Sequence, residues 1–392
     1  MEQLGMAFQE ESPDVEVLAH QSSAEPQNLP ALERRPKPAF LEFFAGSGLV
    51  AYALRPYFEA AWANDICQKK AAVYAINHGT NHFRLGSIAN IKGTDLPAAS
   101  LSWASFPCQD LSLAGQTAGI HAERSGLVWE WLRIIDEMPV KPPVLVAENV
   151  IGLVSAHGGI HYRGLHSALR ARDYRVGAVV LDAVHWLPQS RPRVFVIAVK
   201  GDAEVPTKLQ TGKPGWVHPQ MIISVSRGLE GWVWWNVPRP LQRKQNLQDI
   251  IEWEAKCDEP RAAKHNLGLI PAHHRKKLNE TELLVAPGYK RTRKNGQVLE
   301  LRFDGVAGCL RTPEGGSSRQ FLILKRDGKL STRLLTVRET ARLMGAPESF
   351  KLLGSYNDGY KAMGDGVAVP VASWLAKTLL SPLVEAVNGQ SA

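Results

Sequence analysis

An α/β fold built around a largely parallel sheet is what this 392-residue sequence predicts. Short apolar runs alternate with helix-like segments through the first 200 residues. A glycine-bearing turn, Ala45-Gly46-Ser47-Gly48, joins the first run to the first helical stretch. Hydrophobic residues make up 44% of the chain and charged residues 21%, enough apolar material to bury a core. At about 150 residues per domain, the length suggests two or three units.

Residues 1–37 hold seven acids and three bases, contain proline and lack periodicity, so they read as a disordered arm. Strand-like runs follow at 39–44, 60–63, 101–104, 144–147, 176–181 and 194–199, with helix-like segments such as 68–77 and 127–138 between them. After Lys200 the rhythm stops. Trp216, Trp232, Trp234, Trp235 and Trp253 crowd together, and a basic stretch follows. From about Leu310 two strand-like runs and helices over 337–344 and 369–380 restore the α/β text. The chain therefore divides into a first α/β part at 38–204, a second unit at 205–308, a hinge and return at 309–386, and a tail at 387–392. A unit of about 100 residues needs large apolar side chains, so the tryptophans are assigned to its core.

Forty-six Lys and Arg against 38 Asp and Glu give a net charge of +8, unevenly spread. Residues 261–302 carry ten bases and three acids, a composition suited to a polyanion and equally to a solvated lysine-rich surface. No apolar run approaches the roughly 20 residues a bilayer requires, and the acid-containing N-terminus is no secretory signal. Cys67, Cys108, Cys257 and Cys309 lie far apart, with no CxxC or Cys/His cluster. Neither a disulfide framework nor a metal site is expected, and the protein is read as a soluble intracellular one with reduced thiols.

Within the α/β part, chemistry collects where strands end. The glycine turn allows close approach of a ligand, and the following helix start offers free N–H groups. Asp65, seventeen residues beyond Gly48, is placed for ribose hydroxyls. Without the GxGxxG or GxxxxGK[ST] pattern, a nucleoside-type ligand fits better than a dinucleotide or triphosphate, and a plain strand–turn–helix corner explains the turn nearly as well. Cys108 follows a strand end in Ser105-Phe106-Pro107-Cys108-Gln109, before a small, glycine-rich loop. It reads either as a nucleophile or as a buried structural cysteine. Glu148-Asn149-Val150 ends a buried-looking run, and Pro188-Gln189-Ser190-Arg191-Pro192-Arg193 precedes another. Together these place a thiol, a carboxylate and two guanidiniums near one sheet edge.

In this order the motifs resemble those of the C5-cytosine DNA methyltransferase family over about 39–200 and 310–385. Phe44-Ala45-Gly46-Ser47-Gly48, continuing into Leu49, looks like its S-adenosyl-L-methionine loop. Pro107-Cys108-Gln109, with Ser112 and Gly115, looks like its nucleophile motif. Glu148-Asn149-Val150 matches its ENV motif, and Gln189-Ser190-Arg191-Pro192-Arg193 its QxRxR motif. Residues 335–345 resemble the ninth motif, and Gly364-Asp365-Gly366-Val367 the tenth.

The resemblance implies a Rossmann-like S-adenosylmethionine-dependent methyltransferase domain with a smaller target recognition domain in the Trp-rich, basic segment. It implies Cys108, Glu148, Arg191 and Arg193 as catalytic residues. It places the cofactor against Phe44, Ala45, Gly46, Ser47, Gly48, Leu49, Asp65, Ile66, Ser87, Ile88, Pro107, Asp365 and Val367. Gln109, Ser112, Arg124, Gln189, Arg275, Lys276, Lys277, Arg291 and Arg293 are its candidate DNA contacts. The implied partner is double-stranded DNA, with room for a cognate restriction endonuclease acting separately. The protein would be a monomer in the cytoplasm, at the nucleoid if bacterial. Ser87 stands where the family usually has Asp and Asp365 where it has Asn, which bears on cofactor affinity.

The implied chemistry starts from the weakness of cytosine C5 as a nucleophile. Addition of a Cys108 thiolate at C6 makes C5 electron-rich, while Glu148 supports N3 and the amino group and Arg193, with Arg191, supports O2. The base must first be flipped from the duplex, with residues 109–124 as the candidate lid. A same-fold methyltransferase acting on tRNA, an inactive base-flipping reader and a transferase of another group are the competing readings. The tRNA subgroup's Cys-Phe-Thr signature is missing.

Overall fold

All six apolar runs of the first 200 residues are strands in the computed structural model, which describes residues 36–107, 126–294, 296–311 and 319–390. The large sheet holds β1 (Ala39–Phe43), β2 (Glu59–Asp65), β3 (Phe83–Leu85), β4 (Leu101–Ala104), β5 (Val144–Val150), β6 (Tyr174–Asp182) and β7 (Pro192–Lys200). Only β3, the tripeptide FRL, has no apolar run to announce it.

The strand order is β3-β2-β1-β4-β5-β7-β6. The first four pairings are parallel, and β7 runs antiparallel between β5 and β6. From β1 the chain steps outward to β3, then returns to β4 on the other side. That reversal opens a crevice at the carboxyl ends of β1 and β4.

Helices α1 (Leu49–Leu54), α2 (Gln68–His78), α3 (Leu127–Glu137), α4 (Gly152–Ser155) and α5 (Ile160–Arg170) cover the sheet. On one face α3 and α5 bury Trp131, Leu132, Ile135, Leu165 and Leu169. Burial on both faces explains why β4, Ser102 aside, and most of β5 are apolar throughout and not alternating.

The segment after Lys200 departs from expectation. Short strands β8 (Gln210–Thr211) and β9 (Trp234–Trp235) and helix α6 (Gln220–Ser226) lie on the large sheet. Trp235 is fully buried there and donates to the Ile197 carbonyl at 3.3 Å. Val233 and Trp235 press so closely on β6 that a Cβ at Gly177 would fall 2.0 Å from the Val233 oxygen. Trp232 stacks on His166 of α5, and Trp216 meets Trp374 near the C-terminus. Four of the five tryptophans thus serve the large domain, and a boundary at 205 would cut through its core.

A second, four-stranded antiparallel sheet does exist. Helices α7 (Pro260–Gly268) and α8 (Ala272–Glu280) precede β10 (Val285–Arg293), β11 (Gly296–Leu301), β12 (Gln320–Arg326) and β13 (Lys329–Leu334), ordered β11-β10-β12-β13. Ile270, Leu278, Leu299 and Ile323 form its own core. Because β12 pairs with β10 from Val285↔Leu324 onward, this unit continues to Leu334, past the expected end at 308.

The return consists of α9 (Val337–Leu343), α10 (Tyr356–Gly364), α11 (Val369–Leu375), a π-turn at Ala376–Leu380, and α12 (Ser381–Gln390). Leu375, Leu379 and Leu383 pack in the same cluster as Leu49 and Leu54 of α1. The expected tail at 387 is still helical, and Val387 is buried. Residues Tyr356–Gly389 are long and apolar enough to span a bilayer, but 61% of that apolar window is buried against the rest of the protein. Residues 1–35, most of the proposed arm, lie outside the described residues.

Candidate functional site

Five strand ends converge on one edge of the large sheet: the carboxyl ends of β1, β2, β4 and β5, and the start of antiparallel β7. They line a cavity of about 720 Å³.

The glycine loop forms its first wall. Phe44, Gly46 and Gly48 all have positive φ, at 59°, 57° and 83°. A Cβ on Gly48 would lie 2.5 Å from the His78 ring, so space and backbone both require glycine. Asp65 fastens this loop. One carboxylate oxygen accepts from the Gly46 N–H at 2.8 Å, the other from Cys67 N–H at 2.8 Å. Ser47 turns away and donates to the Ala362 carbonyl at 3.0 Å, tying the loop to α10. Ile66 is 72% exposed at the cavity wall, while Ile88 is buried. Ser87 accepts from Ala89 N–H at 3.3 Å, capping a short helical turn. Leu49, Pro107 and Val367 also line the cavity.

The opposite wall is ionic. In the β5–β7 register Val150 faces Arg193 and Glu148 faces Phe195, so Glu148 and Arg193 are diagonal neighbours on one face. Arg193 Nε lies 3.2 Å from Glu148 Oε1. Burial raises the Glu148 pKa above the ordinary carboxylate value, opposed by Arg193, Arg191 and a hydrogen bond with Ser105. Asn149 donates to the Phe106 carbonyl at 2.9 Å and accepts from Val150 N–H, holding the backbone just before position 108. Cys108 itself, with Gln109, Ser112 and Arg124, lies outside the described residues.

Arg191 plays a different part from Arg193. It is 2% exposed, and burial lowers its pKa to about 10. Its guanidinium donates to the carbonyls of Leu310 (3.0 Å), Gly364 (2.7 Å) and Gly366 (2.6 Å), and to Cys309 Sγ (3.3 Å). Gln189, expected at a DNA surface, is fully buried; it donates to the Leu343 carbonyl at 2.6 Å and accepts from Leu310 N–H at 3.1 Å. Both residues join the segments flanking the second sheet to the large one.

Of the other expected DNA contacts, Arg275 donates to three carbonyls at the end of α7. Arg291 and Arg293 share Glu300 at 2.9 and 2.7 Å. Lys277 lies over the Phe303 ring, and Lys276 stands 3.9 Å from Glu280. Lys276 and Lys277 remain exposed.

Two cavity residues carry no sequence signal that would have singled them out. Cys309 places its sulfur 3.9 Å from Arg193 Nη2, and Lys70 of α2 forms an ion pair with Asp365. Among the described residues no cluster of His, Cys, Asp or Glu could hold a metal.

A model of the C-5 cytosine-specific DNA methylase family matches residues 39–381. The chain is 26% identical over 347 residues to the type II methyltransferase M.Bsp6I of Bacillus sp. (strain RFL6), covering 87% of this chain and 98% of that protein. It is 25% identical over 352 residues to M.HhaI of Haemophilus parahaemolyticus, covering 88% and 94%. A crystal structure of the S. pombe Dnmt2 methyltransferase superposes with a TM-score of 0.56 at 21% identity, over 90% of this chain and 99% of that one.

Proposed function

The chain belongs to the C-5 cytosine-specific DNA methylase family and is a DNA (cytosine-5-)-methyltransferase, and from that premise we propose that it methylates a flipped-out cytosine at a specific duplex DNA site, using S-adenosyl-L-methionine.

The glycine-loop half of the cavity suits that cofactor. Each Asp65 oxygen is used once by backbone and keeps capacity for a ribose hydroxyl. Ile66 offers exposed apolar surface to a flat adenine. Gly46 presents bare backbone, and Phe44, Ala45, Ile88, Pro107 and Val367 complete the enclosure. When bound, S-adenosyl-L-methionine supplies an electrophilic methyl group.

The ionic half suits the base. The Cys108 thiolate bonds to C6, and the displaced electron pair enriches C5, the methyl acceptor. Glu148, its carboxyl favoured in the protonated form by burial, donates at N3 and accepts from the amino group. Arg193, steadied by Glu148, donates to O2. Loss of the C5 proton then breaks the bond to sulfur and releases 5-methylcytosine. Arg191 acts from behind by fixing the cavity's far wall.

We place the recognition unit at about 256–334, with Lys276, Lys277, Arg291 and Arg293 toward phosphates and Gln109, Ser112 and Arg124 as further DNA contacts. The enzyme works as a cytoplasmic monomer on cellular DNA, and any cognate endonuclease acts separately.

The ion pair of buried Glu148 with half-buried Arg193, beside the pinned Phe106 backbone, carries this reading. Labelled cofactor offered with duplex DNA or tRNA tests the substrate: incorporation goes into DNA, and labelling of tRNA alone would overturn the assignment. A denaturation-resistant complex with 5-fluorocytosine DNA, formed by the wild type and not by Cys108→Ser, tests the adduct.

A further inference from the structure

The turn 364–366 is held from two sides. From β7, buried Arg191 donates to the carbonyls of Gly364 and Gly366. From α2, Lys70 pairs with the Asp365 side chain between them. The two side chains are 16% and 28% exposed, so water screens them less than it would a surface pair. Lys70 also runs along the glycine loop, its Cδ 3.9 Å from where a Cβ on Gly46 would stand. The turn has no slack toward α1, since a Cβ on Gly366 would fall 2.6 Å from Leu49 Cδ1. Lys70, Asp365, Gly46 and Leu49 all line the cavity.

We propose that Lys70 and Asp365 act as one cofactor-positioning pair, which locks the 364–366 turn against the glycine loop; this rests on the S-adenosyl-L-methionine reading above. Lys70 brings a positive charge directly against this carboxylate in the cavity wall, and Arg191 adds a second from the β7 side. With Lys70 as its counter-ion, Asp365 need not weaken cofactor binding where asparagine is usual. Lys69, which pairs with Asp358 at 2.8 Å and is 71% exposed, ties α2 to α10 itself without reaching the cavity.

Calorimetric titration of the full-length protein with S-adenosylhomocysteine tests this. Lys70→Met and Asp365→Asn should each weaken binding by roughly five- to ten-fold, and the double variant by no more than either single, the coupling expected of contacting groups. Lys70→Arg should bind within about two-fold of wild type. Raising salt from about 50 to about 500 mM should weaken the wild type more than the double variant. Melting temperatures of all variants are compared, and equal affinity loss in a Lys69→Met control that melts alike would reduce the pair to a structural tie. Single variants within two-fold of wild type, effects that multiply in the double, or equal salt responses would each overturn the pair. A wild type that binds no S-adenosylhomocysteine would instead sink the cofactor assignment.

Discussion

Asn149 holds backbone at the cavity edge. Its amide spans from β5 to the Phe106 carbonyl, so replacement by alanine leaves a buried carbonyl without a partner. The cost is about 1–3 kcal/mol. We expect Asn149→Ala to lower kcat at least ten-fold while duplex DNA affinity, measured by fluorescence anisotropy, changes less than about three-fold. Arg191 and Arg193 stand two residues apart but face different tasks. A lysine at 191 has a compact ammonium and cannot span acceptors on both 309–310 and 364–366. Arg191→Lys should cost roughly 2–4 kcal/mol in urea denaturation and weaken cofactor binding as well.

At the scale of elements, the β5–β7 pairing makes the ionic site. A shift of one residue would turn Arg193 to the opposite face and separate it from Glu148. Helix α9 anchors the return segment in a comparable way. Glu339, fully buried, accepts from Arg333 Nη1 (2.7 Å) and Nη2 (2.6 Å), from Thr336 N–H (2.8 Å) and from Glu252 N–H (2.7 Å). The carboxylate therefore caps its own helix and neutralises a guanidinium beside the second sheet. Glu339→Gln leaves Arg333 buried without a counter-charge, and we predict a loss of about 3–5 kcal/mol, read from the denaturation midpoint at constant slope.

Across the whole molecule, the half-buried His78 couples stability to pH. Burial lowers the His78 pKa from 6.5 to about 4. Between those values the unfolded chain takes up a proton that the folded one refuses. Stability from neutral His78 is thus present above pH 6.5 and is lost as pH falls toward 4. Buried Glu42 and Glu148, with values raised above the ordinary carboxylate one, contribute the opposite slope from there upward, so the wild-type profile sums opposing effects. The difference isolates the histidine: His78→Asn should lose less stability than wild type over that interval.

Charge acts at the same scale. Several of the ten bases at 261–302 are committed to Glu300, Asp304 or helix-end carbonyls. Lys276→Gln and Lys277→Gln should each reduce the salt slope of DNA binding by about 0.9. Arg275→Gln, by removing the cap of α7, should chiefly lower stability.

Much of this was legible from one-dimensional text. Strands buried on both faces carry largely apolar runs, so six of the seven strands stood out, and only the three-residue β3, too short to form a run, did not. Glycine and charged residues at strand ends are restricted in type locally, so the glycine loop, Glu148 and Arg193 could be singled out before the structure brought them to one cavity, and the family model matches over 39–381. The folded chain alone assigned Arg191 and Gln189 to buried clamps, moved four tryptophans onto the large sheet, carried the second sheet to Leu334, and joined Lys70 to Asp365 and Cys309 to the guanidiniums. Those outcomes depend on partners up to 295 residues apart (Lys70 to Asp365), where propensity and periodicity carry no information. A side chain's type restricts what it can do, while its neighbours across the fold select which of those things it does.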